Sequence, residues 1–428
     1  MNSNLAKLLF KTGVDRRNPS LWDEYERLKK SEWYPREQLE TLQLERARSF
    51  LLFAERHSPY YRGVFKRCGF SARSFDSIDK LKIIPEITKS ELIEYNKSIH
   101  TDFHFDKVFL AETSGTTGSA LEFQKNERWD SINRANMMRA YDWYGVKPWD
   151  RHGYFWGYNI APNQAAKVKL LDMLQNRFRI FNYSRESIKK FAQQLFSAQY
   201  VAGYSSMIFE VAKIINELNT ERPQLKLVKG TSEMILDVYQ GESLKAFGRK
   251  ITSEYGAAES GLIAFECPEG NMHINIEDVI TEVDKDGEIS VTNLASYSYP
   301  VIRYKLGDVV TLSNEICSCG RTHPIIKDII GRKGGSVYGM SSTYPALTFY
   351  YVFKNLAINE AVLLNYKAVQ REKGFVDIYI ENTANRKHEE ILTDELIKYF
   401  ADDVIFNISY MNAFDKQKKK AQYFESLL

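Results

Sequence analysis

Cysteine is scarce, with four residues in a chain of 428. So few thiols exclude a disulfide scaffold. An excess of charge of either sign is missing too. Lysine and arginine total 58 against 55 aspartate and glutamate, a formal net charge of +3. A nucleic-acid binder would need a clustered basic face, and nucleic acid is not expected as a partner. The densest basic run is Lys416-Gln417-Lys418-Lys419-Lys420. No apolar stretch approaches the roughly 18 residues that span a bilayer. Residues 1–10 lack the apolar core and small-residue cleavage site of a secretory signal, so a cytoplasmic location is expected. Internal repeats and low-complexity tracts are absent. What is present is an ordinary globular composition, 44% apolar and 26% charged. The length suits two or three domains. Aromatic residues reach 13%, with 26 tyrosines and 25 phenylalanines, enough for a core and for a substrate pocket.

Residues 1–100 are rich in helix formers and charge. Thr88 is placed to cap a helix running through Glu91-Leu92-Ile93. Apolar stripes at Ile188, Phe191, Ala192, Leu195, Phe196 and at Met207, Ile208, Val211, Ile214, Ile215, Leu218 predict two more helices. Between them, 200–204 predicts a short strand, and 225–228 and 250–253 predict two others. Helix alternating with strand is the pattern of parallel α/β architecture. After residue 275 the pattern changes. Asp284-Lys285-Asp286-Gly287 between 276–283 and 288–292 signals a hairpin. Gly331-Arg332-Lys333-Gly334-Gly335 is the expected hinge, because its glycines permit large backbone changes. Beyond it come a strand at 375–380, a helix at 389–400 and a strand at 404–409. The expected class is α/β: a large domain of mixed sheets and helices over 1–330, with a helical lead-in over 1–85, and a small mobile α+β domain over 331–428.

Three short motifs carry chemistry. Thr113-Ser114-Gly115-Thr116-Thr117-Gly118 follows a plausible buried strand at 108–111. Its amides and hydroxyls suit phosphate oxygens, and a strand feeding such a loop points to a nucleoside triphosphate. The Walker ending Gly-Lys-Ser/Thr is missing, since Ser119 and Ala120 follow Gly118, and so is the dinucleotide fingerprint. Tyr255-Gly256-Ala257-Ala258-Glu259 places an aromatic ring and a carboxylate at a strand end, where open α/β sheets bind ligands. The ring could stack a base and the carboxylate could hold Mg²⁺. Arg303-Tyr304-Lys305-Leu306-Gly307-Asp308 offers a carboxylate for ribose hydroxyls.

A fourth cluster is metal-like. Cys267 and His273 precede Cys317 and Cys319. Three thiolates and an imidazole form a common structural zinc set, and Cys68 stands apart as a core residue. An aromatic stretch at 152–158, including Tyr158, and the pair Tyr204-Ser205 are candidates for a substrate pocket.

Taken in order, T-S-G-T-T-G, Y-G-A-A-E, R-Y-K-L-G-D and G-R-K-G-G resemble the adenylate-forming superfamily. Within it, the chain is similar to the phenylacetate–coenzyme A ligase branch, and to ligase-like proteins of capsule and O-antigen polysaccharide clusters. Gly203-Tyr204-Ser205-Ser206, Pro300-Val301-Ile302-Arg303-Tyr304 and Cys317-Ser318-Cys319-Gly320-Arg321 add to the likeness, which covers most of residues 85–428. The resemblance implies an ATP- and Mg²⁺-dependent, AMP-forming acid ligase that transfers the acyl group to coenzyme A or an amine. It implies phosphate contacts from residues 113–118, adenine stacking on Tyr255, Mg²⁺ binding by Glu259, ribose binding by Asp308 and a ribose–phosphate contact from Arg332. It makes Lys420, with Lys419 beside it, the adenylation lysine, and some relatives in the branch carry zinc at a similar cysteine cluster. Departures are Ala258 where threonine is common, Gly334-Gly335 in the hinge, and Lys419 where glycine usually precedes the lysine. These departures motivate a second reading, a non-catalytic nucleotide-binding or scaffold relative. Neither the acid nor the oligomeric state is legible.

Overall fold

The computed structural model describes residues 3–113, 121–155, 165–180, 185–218, 221–313, 315–332, 335–346, 348–360, 362–414 and 423–428. It opens with four helices: α1 (Ser3–Arg17), α2 (Leu21–Ser31), α3 (Arg36–His57) and α4 (Pro59–Cys68). Pro59 starts α4 where its missing N–H costs nothing. Ser58 accepts the Tyr61 N–H, and Gly69 ends the helix at φ 70°. Two short helices follow, α5 (Lys89–Glu94) and α6 (Asn96–Ile99). Thr88 caps α5 as expected: its N–H donates to the Glu91 carboxylate at 2.8 Å, and its hydroxyl accepts from the Glu91 N–H.

Strands β1 (Val108–Glu112) and β2 (Glu122–Asn126) form an antiparallel hairpin, Glu112 opposite Glu122. The strand at 108–111 was expected to be buried, and this is corrected. Phe109 and Ala111 face the same side as Lys125 and Phe123 and are half-covered, while Leu110 is 75% exposed. A two-stranded ribbon packs on one face only, so alternate residues meet water. Helix α7 (Glu127–Trp143) continues from β2.

Contacts divide the chain into two compact units. One comprises Met1–Asp150, Leu174–Asn176 and Thr252–Ile329, and the other Arg151–Met173, Arg177–Ile251 and Ile330–Leu428. The second unit contains β3 (His152–Phe155), α8 (Ala165–Leu174, whose last residue counts with the first unit), β4 (Arg177–Arg179), α9 (Arg185–Leu195), β5 (Tyr200–Tyr204), α10 (Ser205–Leu218), β6 (Leu227–Thr231) and α11 (Asp237–Phe247). The strands are parallel in the order β6-β5-β3-β4, as the alternation predicts. Ile188, Phe191, Ile208, Val211 and Ile215 bury the helical stripes, whereas Phe196, one residue past the end of α9, is 45% exposed.

The first unit continues with β7 (Thr252–Ala257), β8 (Gly261–Glu266), β9 (Met272–Ile274), β10 (Val279–Val283), β11 (Glu288–Asn293), β12 (Val301–Ser313) and β13 (Ile325–Arg332). Their order is β10-β11-β12-β13-β9-β8-β7. The hairpin at 284–287 is present: the Asp284 side chain accepts the Asp286 and Glu288 N–H groups, and Gly287 turns at φ 84°. One expectation changes. Tyr255, Gly256 and Ala257 lie inside β7, which pairs antiparallel with β8 instead of ending in a loop. The R-Y-K-L-G-D motif lies within the 13-residue β12.

The rest of the second unit holds the ribbon β14 (Ser336–Tyr338) and β15 (Thr343–Pro345), then α12 (Thr348–Glu360), β16 (Tyr366–Glu372), β17 (Phe375–Glu381), α13 (Arg386–Phe400), β18 (Ile405–Met411) and β19 (Phe424–Ser426). Four strands form one sheet in the order β18-β17-β16-β19. Phe349, Val352, Leu356, Leu392, Leu396 and Phe400 pack the helices onto it, as the α+β expectation required. Among the described residues, no helix is long and apolar enough to cross a membrane.

Candidate active site

The β7–β8 turn is built by close backbone approach. A Cβ on Gly256 would lie 2.3 Å from the Gly261 carbonyl oxygen and 3.1 Å from Leu262 Cα. Gly261 turns at φ 77°, and a Cβ there would lie 2.7 Å from Asn133 Oδ1. That same oxygen accepts the Leu262 N–H, and Ser260 Oγ accepts the Ala257 N–H at 3.1 Å. Only hydrogen fits at Gly256, which is why the motif needs it. We expect Gly256→Ala to destabilise the protein by about 1–3 kcal/mol, read as a lower midpoint in denaturant unfolding.

This turn holds Glu259. The residue is 5% exposed, and its Oε1 accepts the Tyr304 hydroxyl at 2.8 Å. Asn293 Nδ2 donates to the Glu259 backbone carbonyl at 3.2 Å. From β7, the Tyr255 hydroxyl donates to Asp308 Oδ2 at 2.9 Å. Tyr255 is 9% exposed, which leaves little ring surface for a base. Two left-handed positions shape β12: Arg303 at φ 52° directly before Tyr304, and Gly307 at φ 78° directly before Asp308. An arginine at positive φ is uncommon and strained. Its guanidinium bonds the Glu282 carboxylate at 2.9 Å, and its N–H donates to Thr292 Oγ1 at 2.9 Å. These bonds hold the strained residue in place.

On β2, Lys125 is half-buried. Its ammonium lies 5.2 Å from the Trp129 ring centre and 5.7 Å from that of Phe123, and the two rings stack at 5.5 Å. Burial lowers its pKa below the usual lysine range, while the charges of Asp130 and Glu259 pull it upward. At the neck of the β1–β2 hairpin, the Thr113 N–H donates to the Leu121 carbonyl at 3.0 Å, and the Leu121 N–H donates to Thr113 Oγ1 at 2.9 Å. Ser114, Gly115, Thr116, Thr117 and Gly118 lie outside the described residues.

The second unit carries the pocket candidates. Tyr204 closes β5 and Ser205 begins α10 fully buried. A Cβ on Gly203 would lie 2.4 Å from that of Phe155, so glycine lets the two strands approach. Glu233 Oε2 accepts the Ser206 N–H at 2.9 Å at the start of α10. Burial raises the Tyr204 pKa, helped by Glu233 and Tyr154. Arg332 is the last residue of β13, and its side chain lies outside the described set. Tyr158, Lys419 and Lys420 also lie outside it.

The first unit brings the metal candidates together. Cys267, His273, Cys317 and Cys319 each present one ligand atom, all within 4.8 Å of one another. Cys267 follows β8, His273 lies in β9, and Cys317 and Cys319 lie between β12 and β13. The pairing of β9 with β8 and β13 closes the separation of 44 positions from His273 to Cys317. The Cys267 and Cys317 sulfurs are 3.7 Å apart, and Cys319 Sγ is 3.3 Å from His273 Nε2. Tetrahedral zinc with bonds of about 2.3 Å sets sulfur–sulfur edges near 3.8 Å, so the cluster fits that ion. Burial holds the His273 pKa at about 4, leaving a neutral imidazole. Cys68 is separate and packs at the edge of the core of its unit.

Sequence reading missed Tyr304, Lys125, Asn133 and Asn293. For Tyr304 a signal exists: both motifs read tyrosine, three residues, then an acid.

No family model matches the sequence. The chain is similar to the protein CapK of Staphylococcus aureus, 26% identical over 305 residues, 68% of this chain and 67% of that one. It is similar to a phenylacetate–coenzyme A ligase of Thermus thermophilus, 25% identical over 411 residues, 86% and 87% of the two chains. Its fold matches a 2-hydroxyisobutyryl-CoA ligase solved in a postadenylation state, with a TM-score of 0.73 at 17% identity, covering 92% and 91%. The likeness to a phenylacetate–coenzyme A ligase over most of both chains, together with the shared fold, makes this chain similar to the phenylacetate–coenzyme A ligase branch of the adenylate-forming enzymes.

Proposed function

We propose that the protein is an ATP-dependent carboxylic-acid ligase. A carboxylate oxygen attacks the α-phosphorus of ATP, giving an acyl-adenylate and pyrophosphate. The thiol of coenzyme A then attacks the acyl carbon and AMP leaves. The observation that carries this reading is the convergence of Tyr255, Glu259, Tyr304 and Asp308: two carboxylates from motifs 49 residues apart, each held by a tyrosine of the other motif. The likeness to a phenylacetate–coenzyme A ligase supports the reaction class, and that to a 2-hydroxyisobutyryl-CoA ligase bound to an acyl-AMP supports the fold. A role in surface-polysaccharide biosynthesis and a cytoplasmic location belong to the same proposal.

In this reading, Thr113 to Gly118 hold the β- and γ-phosphates, Tyr255, Gly256 and Ala257 border the adenine, and Asp308 binds the ribose hydroxyls. Glu259 holds Mg²⁺, Arg332 contacts the ribose–phosphate and Lys420 faces the charge developing on the α-phosphate. Such charges, fixed before reaction, lower the barrier because nothing has to reorganise at the transition state. Tyr204, Ser205 and Tyr158 border the acid. The small domain over 331–428 turns about the glycine-rich segment at 331–335 between the two half-reactions. The Cys267–His273–Cys317–Cys319 set holds a structural Zn²⁺ that ties the ends of β8 and β9 to the β12–β13 connection.

Pyrophosphate exchange with a panel of carboxylic and amino acids tests the proposal. We expect Mg²⁺-dependent exchange with at least one acid, then thioester formation on adding coenzyme A. Amide formation from an added amine, without thioester, would replace coenzyme A as the acceptor. ATP binding without exchange for any acid would leave a nucleotide-binding relative that is not a ligase.

A further inference from the structure

We propose that Tyr304 and Tyr255 are positioning residues whose crossed hydroxyl–carboxylate bonds couple Mg²⁺ binding at Glu259 to nucleotide binding at Asp308. This rests on the roles given above to those two carboxylates.

Four observations carry it. The first is reciprocity. Tyr304 stands four residues before Asp308 yet bonds Glu259 at 2.8 Å, while Tyr255 stands four residues before Glu259 yet bonds Asp308 at 2.9 Å. Neither motif is complete without the other. The second is burial. Tyr304 is 3%, Glu259 5% and Tyr255 9% exposed, so water replaces neither hydroxyl freely, and such bonds to charged acceptors are strong. The third is backbone geometry. The left-handed residues Arg303 and Gly307 each sit one position before a member of the crossed pair. The register of β11 against β12 shifts between Val291 and Asn293. The fourth is the electrostatics of Glu259. One neutral hydroxyl donates to its carboxylate, and among the described residues its Oε2 receives no hydrogen bond. A buried carboxylate favours a cation placed beside it. Lys125 contributes charge from nearby, and a metal ion would contribute more.

Tyr304 and Asp308 share one strand. Fixing Glu259 by metal therefore fixes Tyr304, and through β12 narrows the positions open to Asp308. Fixing Asp308 by ribose acts back through Tyr255 on the β7–β8 turn. Linkage makes the effect equal in both directions.

The test uses the full-length protein with Tyr304→Phe, Tyr255→Phe and the double variant, with Glu259→Gln as reference. Phenylalanine keeps each ring and removes only the hydroxyl. The half-saturating Mg²⁺ concentration and the KM for ATP are read from pyrophosphate exchange. Tyr304→Phe is expected to raise the Mg²⁺ requirement about five- to tenfold, a larger change than its fall in kcat. Tyr255→Phe is expected to raise the KM for ATP by a similar factor, and to raise the Mg²⁺ requirement too. The double variant should lose less than the product of the single effects. A merely structural role would lower thermal stability without moving the Mg²⁺ requirement. If Glu259→Gln shifts the Mg²⁺ requirement and neither tyrosine variant does, the coupling is refuted. If Glu259→Gln itself leaves it unmoved, the Mg²⁺ assignment falls first. Should Tyr304→Phe fail to fold, Tyr255→Phe alone reads the same coupling from the other bond.

Discussion

Glu259→Gln is expected to lower pyrophosphate exchange by about 100- to 1,000-fold, the usual scale for removing one charge-stabilising group aimed at a transition state. The substitution is nearly isosteric. Its amide oxygen still accepts the Tyr304 hydroxyl, and its backbone carbonyl still accepts from Asn293, as in the native residue. The fold should therefore survive, and removing a buried charge relieves a desolvation cost. What is lost is the negative charge that attracts Mg²⁺. Because Lys125 shares the field of Glu259, the variant also leaves that ammonium with less opposing charge. Initial exchange rates across a Mg²⁺ titration check this, with circular dichroism confirming the fold. An unchanged rate at limiting Mg²⁺ would remove Glu259 from the metal site.

Stripping the proposed zinc should cost the first unit several kcal/mol of stability. The ligands sit on short segments: the end of β8, the three-residue β9 and the β12–β13 connection. A structural metal binds only the folded arrangement, so its binding free energy adds to folding. The buried shell around the cluster also assumes that its ligands stay in place. Glu277, at 0% exposure, bonds Arg139 and His323, and the His323 ring packs 6.3 Å from that of His273. Protein purified without chelator should carry about one zinc per chain. Cys317→Ser combined with Cys319→Ser should lose the metal and lower Tm by more than about 5 °C. Metal content far below one per chain, with Tm indifferent to the double substitution, would leave the cluster as buried free thiols.

Much of the fold was legible because its signals are local. The Thr88 cap, the stripes of α9 and α10, the Asp284 turn and the strand–helix–strand pattern after residue 375 each depend on neighbours within a few positions. Two glycine-bearing segments resisted a local reading. Tyr255-Gly256-Ala257 and Lys305-Leu306-Gly307 look like turns because glycine and small residues usually mark turns. Both instead lie in strands, where glycine allows backbone to pass backbone, as at Gly256, or turns left-handed within a strand, as at Gly307. The exposure of β1 was equally out of reach, since it depends on whether another layer packs on the second face of the ribbon.

By itself the sequence determined which groups exist for chemistry: the hydroxyl-rich loop, the two tyrosine–acid motifs, the cysteine–histidine set and their order along the chain. Composition and periodicity made the elements, because hydrogen bonding and side-chain direction repeat over short distances. Only the tertiary structure decided how those groups are partnered. That Tyr304 serves Glu259 and Tyr255 serves Asp308, that Lys125 lies in the field of Glu259, and that four metal-ligand atoms converge within 4.8 Å all depend on strand pairing. Strand register is a property of segments tens of residues apart, and no local pattern encodes which acid a given hydroxyl will meet.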